Sequence, residues 1–274
     1  MTIQPIETGF FSTDGGAMFG MVSRRVWSSK YPVDGDNRCP LAMRILFVDM
    51  GAHKVLFDTG AGTAKVHGMD YYKFHDPLDV REALARLGYA PEAITDVVLS
   101  HLHFDHCGGA AVETAPGHWA PTFPNATYWA GKQQRTLTFN PSRWEADSYA
   151  PAVVAALEGA GCLRLIDADT ELFPGLKVEL YQGHTDDQLV SFIETPLCCL
   201  VYAGDVIPMT PHVMPLCIAA VDNAAVVAVD EKLRLLHRIV EKDGILFFFH
   251  DAVTQATRLR RSGERVLLGA PVEL

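Results

Sequence analysis

The sequence predicts an α/β fold in a single domain spanning residues 1–274. Three observations lead there. Short apolar runs recur along the chain, each closed by Gly, Asp or His. Segments with helical apolar spacing lie between them. No linker, internal repeat or low-complexity tract divides the sequence. The chain has 274 residues, 49% hydrophobic and 20% charged. That composition is ordinary for a globular protein, and a chain of this length buries a core without disulfides.

The elements follow in order. The opening stretch "MTIQPIETGFFSTDGGAMFG" lacks a basic segment followed by an apolar one, so no secretory signal is expected. "MRILFVDMGAHKVLFDTGAG" reads as two strands joined by a turn at Gly51 to His53, the second ending at Asp58. "DPLDVREALARLGY" places Leu78, Ala83, Leu84 and Leu87 at helical spacing, with Gly88 as its C-terminal stop. "ITDVVLSH" is a short buried strand. Residues 110 to about 160 hold Trp119, Trp129, Trp144 and several prolines, and read as an inserted excursion over the sheet ending in the helix "APAVVAALEGAG". Strands are expected in "LKVELYQGH", "LVSFIET" and "LCCLVYAGD". The amphipathic helix "DEKLRLLHRIVEKDG" then leads to a last clear strand, "ILFFFHD".

Charge and cysteine content narrow the function classes. A formal net charge of -10 repels phosphate backbones, which argues against nucleic acid as a partner. The basic stretch "RLRRSGER" reads as a solvated helix or turn. No apolar run approaches the length of a membrane span. Six scattered cysteines without a paired spacing read as thiols in a reducing compartment, so a cytoplasmic location is expected.

The strand-like runs finish at Asp58, His101, His184, Asp205 and His250, and loops at strand ends are where α/β proteins assemble sites. "SHLHFDHCGG" concentrates the chemistry. His101, His103, Asp105 and His106 offer imidazole nitrogens and a carboxylate, donors that suit zinc and neighbouring metals. Extended backbone sends His101 and His103 the same way. A turn at Phe104 lets Asp105 and His106 face a second point, so one loop can serve two metals. His184, Asp205 and His250 are further candidate ligands, each following a β-rich run.

These residues resemble the metallo-β-lactamase superfamily, whose HxHxDH motif stands here as His101 to His106; "LFDTGAG", "GH", "AGD" and "HD" follow in family order. The resemblance implies an αββα four-layer sandwich and two divalent metal ions, with zinc expected. It assigns His101, His103 and His184 to one metal, Asp105, His106 and His250 to the other, and Asp205 as the bridge. Asp58 would orient a ligand histidine, and Cys107 has no ligand role. Asp205, where many β-lactamases use cysteine, points instead to the lactonase, glyoxalase and phosphodiesterase branches. "DGGAMFGMVSRRVWSSKYP" and "FFFHDAV" are similar to quorum-quenching lactonases of the YtnP type.

The resemblance implies hydrolysis of a small-molecule lactone or ester, most plausibly an N-acyl homoserine lactone, by attack of a metal-bridging hydroxide. Asp105 would pass a proton to the leaving alkoxide. His212 is expected either to point into the pocket as a hydrogen-bond donor or to bond backbone as a loop histidine. Met18, Phe19, Met21 and Trp27 are expected either to line an acyl-chain pocket or to pack against a second subunit in a homodimer. His53, His67, His75, His118 and His237 are expected at the surface or in structural roles. Competing readings are an aryl ester or phosphotriester hydrolase on the same site, a redox diiron module, and a non-catalytic binding protein.

Overall fold

The computed structural model describes residues 1–62, 69–195 and 198–274. His67, expected at the surface or in a structural role, and Leu197, expected at a strand start, lie outside the described residues. The strands are β1 (Thr2–Asp14), β2 (Arg38–Asp49), β3 (Lys54–Phe57), β4 (Asp96–Val98), β5 (Ala111–Ala115), β6 (His118–Pro121), β7 (Thr127–Gly131) and β8 (Leu163–Ile166), then β9 (Thr170–Phe173), β10 (Leu176–Tyr181), β11 (Gln188–Glu194), β12 (Cys199–Tyr202), β13 (Ile245–Phe247), β14 (Ala256–Ser262) and β15 (Arg265–Val272). The helices are α1 (Gly15–Phe19), α2 (Arg24–Trp27), α3 (Val80–Arg86), α4 (Phe104–Cys107), α5 (Lys132–Phe139), α6 (Pro151–Gly159) and α7 (Ala225–Glu241).

The chain divides into two compact units, residues 1–10 with 43–167 and residues 11–42 with 168–274. In sheet order the strands run β1-β2-β3-β4-β7-β8, then β15-β14-β13-β12-β11-β10-β9, with β5-β6 as a separate hairpin. β3 pairs in parallel with β4, and β4 with β7; the central strand β4 is buried along its whole length, while β7 buries Tyr128 and Ala130 and leaves Thr127 and Trp129 partly exposed.

In the first unit, Asp79 caps α3 by accepting the Arg81 amide, and Gly88 supplies the left-handed residue beyond its end. The stretch from 110 to 160 departs from expectation. It is no mere excursion, because Thr127–Gly131 pairs in parallel with β4 on one side and β8 on the other. Its single run "TYWAG", interrupted by no clear apolar alternation, hid an internal strand.

In the second unit, α7 begins at Ala225, five residues earlier than "DEKLRLL" suggests. Its stripe of buried positions, Ala228, Glu231, Lys232, Leu235, Leu236 and Ile239, follows helical spacing. Leu235, Leu236 and Ile239 join Val190, Val201, Leu246 and Phe248 in one apolar core. "RLRRSGER" is neither a helix nor a solvated turn alone. It is the centre of the β14–β15 hairpin, with the turn at Ser262–Arg265 and Gly263 at φ 61°. Alternation along the two strands buries Leu259 and Val266 and leaves Arg260, Arg261 and Arg265 in water.

Leu236 is fully buried in that core and Val226, on the same helix, is 77% exposed. Leu236→Ala should lower the unfolding free energy by about 2–5 kcal/mol, whereas Val226→Ala should stay within about 0.5 kcal/mol of the parent. Urea denaturation of both variants measures this.

Candidate functional site

The first unit carries four of the candidate ligands between β4 and β5. His101 lies three residues beyond the strand's end at Val98, and His103 stands at the N-terminal boundary of α4, whose single turn swings Asp105 and His106 away from the extended segment. The sharp bend predicted at Phe104 is therefore this helix start. Ligand atoms of His101 and His103 lie within 4.8 Å of one another, as do those of His101 and His106, and of Asp105 and His106. His101 and His106 are fully buried.

Asp58 organises this loop. Its backbone is left-handed, with φ 59°, a strained geometry that asparagine and aspartate tolerate better than most residues. Its carboxylate accepts the Ser100 amide at 2.6 Å, the Ser100 hydroxyl at 2.7 Å and His106 Nδ1 at 2.8 Å. Ser100 Oγ, having donated to Asp58, can accept from His101 Nδ1 at 3.1 Å. One buried carboxylate thus fixes two imidazoles, one directly and one through a hydroxyl.

The glycines after the motif have a steric reason. A Cβ on Gly108 would lie 2.2 Å from the Ala61 carbonyl oxygen, and one on Gly109 would lie 2.4 Å from that of Thr59. The ligand loop and the Thr59–Ala61 turn therefore touch backbone to backbone, joined by Thr59 N to His106 O at 2.8 Å and Gly109 N to Gly60 O at 3.0 Å. Cys107 is buried and directs its thiol to the Leu102 carbonyl.

The second unit carries the other three candidates. His184 follows β10, Asp205 sits in a short turn after β12, and His250 lies just beyond β13. His184 Nε2 is 3.5 Å from Asp205 Oδ2, and His250 Nε2 is 3.4 Å from Asp205 Oδ1. One carboxylate thus faces an imidazole with each oxygen. His184 Nδ1 donates to Asp222 Oδ1 at 2.8 Å, and His250 Nδ1 donates to the Ala42 carbonyl at 2.9 Å.

His101, His106, His184 and His250 therefore share one design: Nδ1 is turned to a fixed acceptor, which leaves the Nε2 lone pair for a cation. The donor set is imidazole nitrogen and carboxylate oxygen throughout, which fits zinc and related divalent ions. His103 differs, its Nε2 lying 3.6 Å from the buried Glu145, whose carboxylate also accepts the Tyr149 hydroxyl at 2.9 Å and the Ser142 hydroxyl at 3.3 Å. Glu145, Tyr149, Ser100 and Asp222 were not singled out in the sequence. Ser100 adjoins the motif, but nothing in sequence pattern links Asp222 to a histidine 38 positions away.

The remaining candidates are corrected by their surroundings. His212 is buried, with Nε2 2.8 Å from the Met18 carbonyl, which can only accept. Its single proton is therefore on Nε2, and it is no hydrogen-bond donor to a pocket. Nδ1 has no hydrogen-bond partner among the described residues. Phe19 and Trp27 stack at 4.4 Å, and Phe19 also stacks on His212 at 5.7 Å. Both are closed to solvent and Met18 nearly so, while Met21 is 82% exposed. The chain turns between α1 and α2, so the four residues do not form one acyl-binding stripe. Of the other histidines, His53 bonds Asp96 and His75 stacks on Phe10.

The profile of the Metallo-beta-lactamase superfamily matches residues 45–250. An N-acyl homoserine lactonase of Bacillus cereus is 22% identical over 208 residues, 72% of this chain and 76% of that protein. Among solved structures, a probable metal-dependent hydrolase from Staphylococcus aureus superposes with TM-score 0.89 at 24% identity, covering 99% of this chain and 98% of that one. AidC, a dizinc quorum-quenching lactonase in complex with a product, superposes with TM-score 0.79 at 19% identity, covering 99% and 94%. Among the described residues, no helix is long and apolar enough to cross a membrane.

Burial, and then the Lys232 ammonium, push the His212 imidazole down to about 3. Between that value and the unfolded value of about 6.5 the unfolded chain binds the extra proton, so stability is lost as pH falls through this window. Lowering the pH from 7 to 5 should therefore cost the parent about 2 kcal/mol more than it costs His212→Gln, measured by urea denaturation at both pH values. With its motif, its strand-end donors and the match over residues 45–250, the chain belongs to the metallo-beta-lactamase superfamily.

Proposed function

We propose that the whole chain acts as one metal-dependent hydrolase that opens lactone rings, with N-acyl homoserine lactones as the substrate class. The observation that carries the reading is the anchoring of Nδ1 in His101, His106, His184 and His250, which leaves each Nε2 to a cation. The Bacillus cereus relative and the AidC structure, both lactonases by name, favour the substrate class.

In this reading His101, His103 and His184 would hold one divalent ion, Asp105, His106 and His250 would hold the other, and Asp205 would serve both. Zinc is the ion expected from the donor set. Such ions, when bound, polarise an ester carbonyl and make water nucleophilic near neutral pH.

The chain's own residues do the rest. Asp58 holds His106 and, through Ser100, His101, so that neither ring rotates as charge develops. Asp222 and the Ala42 carbonyl do the same for His184 and His250. Asp105, partly exposed at the start of α4, would take a proton from the attacking water and pass it to the departing alkoxide. No serine or cysteine nucleophile is needed.

Acid release from N-acyl homoserine lactones, followed at constant pH, tests the proposal. Turnover should vanish with EDTA and return with added zinc. His106→Ala should lower kcat/KM by at least about 100-fold. Aryl ester and phosphotriester substrates should be turned over more slowly. A preference for phosphotriesters would replace the substrate class, and metal-independent turnover would remove the mechanism.

A further inference from the structure

Two charged side chains occupy the apolar stripe of α7. Glu231 is 7% exposed and Lys232 is fully buried, at positions where the helix otherwise presents Ala228, Leu235, Leu236 and Ile239. A buried charge costs several kcal/mol unless it is satisfied, so each needs an account. They do not satisfy one another. Both charges are directed at backbone.

The Glu231 carboxylate accepts the Gln182 amide at 2.9 Å and the Gly183 amide at 2.9 Å. These are the two residues immediately before His184. A Cβ on Gly183 would lie 2.4 Å from the Ala228 Cα, so the turn is seated directly on the helix. Two further bonds close it from the other side: Ala224 N to Gly183 O and Asn223 N to His184 O, both at 3.0 Å.

The Lys232 ammonium donates to the Met214 and Cys217 carbonyls, at 2.9 and 2.6 Å. That fixes the segment leading into Asp222, which accepts His184 Nδ1 and also the Ala219 amide at 3.1 Å. Adjacent residues of one helix thus grip the two segments that set His184. Glu231 holds its backbone, and Lys232 holds the loop carrying the acceptor for its ring.

We infer that Glu231 and Lys232 are positioning residues for the candidate ligand His184, acting on its backbone and on its Asp222 acceptor. The inference rests on the metal-binding reading above. It goes beyond ligand identity by tying ligand geometry to the register of α7. The pair formed by Arg238, on the same helix, and Glu179 of β10 supplies a contrast. It bonds through both guanidinium nitrogens and lies over the Phe192 ring, touching neither segment.

Metal-free full-length protein, titrated with cobalt and followed by visible absorption and calorimetry, tests this. Parent protein should take up two equivalents. Glu231→Gln and Lys232→Met should weaken one equivalent by roughly tenfold or more, change its absorption band, and leave the other unchanged. Arg238→Met should lower Tm yet leave both affinities and the spectrum unaltered, which separates positioning from general loosening of the helix. Glu231→Gln keeps the side-chain volume and adds no charge, so it decides the matter if Lys232→Met does not fold. Affinities and spectra of Glu231→Gln matching the parent would overturn the inference while the metal reading stands. A parent that binds no cobalt would overturn both.

Discussion

An imidazole holds one lone pair in a fixed direction for a metal when its other nitrogen keeps its proton and donates it, in a hydrogen bond, to something that does not move. This constraint shapes the candidate site more than the ligands themselves do. Asp58, Ser100, Asp222 and the Ala42 carbonyl are the fixed acceptors, and each comes from a different stretch of chain. Much of the local architecture serves to hold them still. Asp58 takes a left-handed backbone to aim its carboxylate at the His101–His106 loop. Gly108 and Gly109 remove the side chains that would keep that loop from the turn bearing Asp58.

The second unit meets the same demand by other means. Its candidate ligands follow separate strands, β10, β12 and β13, rather than sharing a loop. Each must be located independently. His250 is tied by reciprocal backbone and side-chain bonds to Ala42, and the turn before His184 is seated on α7. Charges placed inside an apolar helix face are costly, and the backbone amides and carbonyls they satisfy offset that cost. The burden of precision thus falls on residues that never touch a metal.

What was legible in the sequence was the part written in local pattern. The four donors of "HLHFDH" sit within six positions, and His184, Asp205 and His250 each follow an apolar run that is indeed a strand. The residues that orient them were not legible in the same way, because their partners lie far along the chain. Asp222 looks like any loop aspartate until the fold brings it to His184. Glu231 and Lys232 did leave a trace: they interrupt an apolar stripe at core-facing positions. That trace reads as ordinary helix charge unless the stripe is followed residue by residue. The β14–β15 hairpin was missed because arginines dominate its outward positions and mask the alternation of Leu259 and Val266. His212 could not be settled from its neighbours in sequence either, since its proton goes to Met18, 194 positions away.

In the proposed site, divalent metal is held through imidazole and carboxylate alone. X-ray absorption spectroscopy at the zinc edge, on protein loaded with two equivalents, addresses it most directly. The account predicts a first coordination sphere of nitrogen and oxygen with the outer scattering characteristic of imidazole rings, and no sulfur. Sulfur in the first sphere, from Cys107 or another of the thiols, would contradict it, as would zinc lacking imidazole scattering.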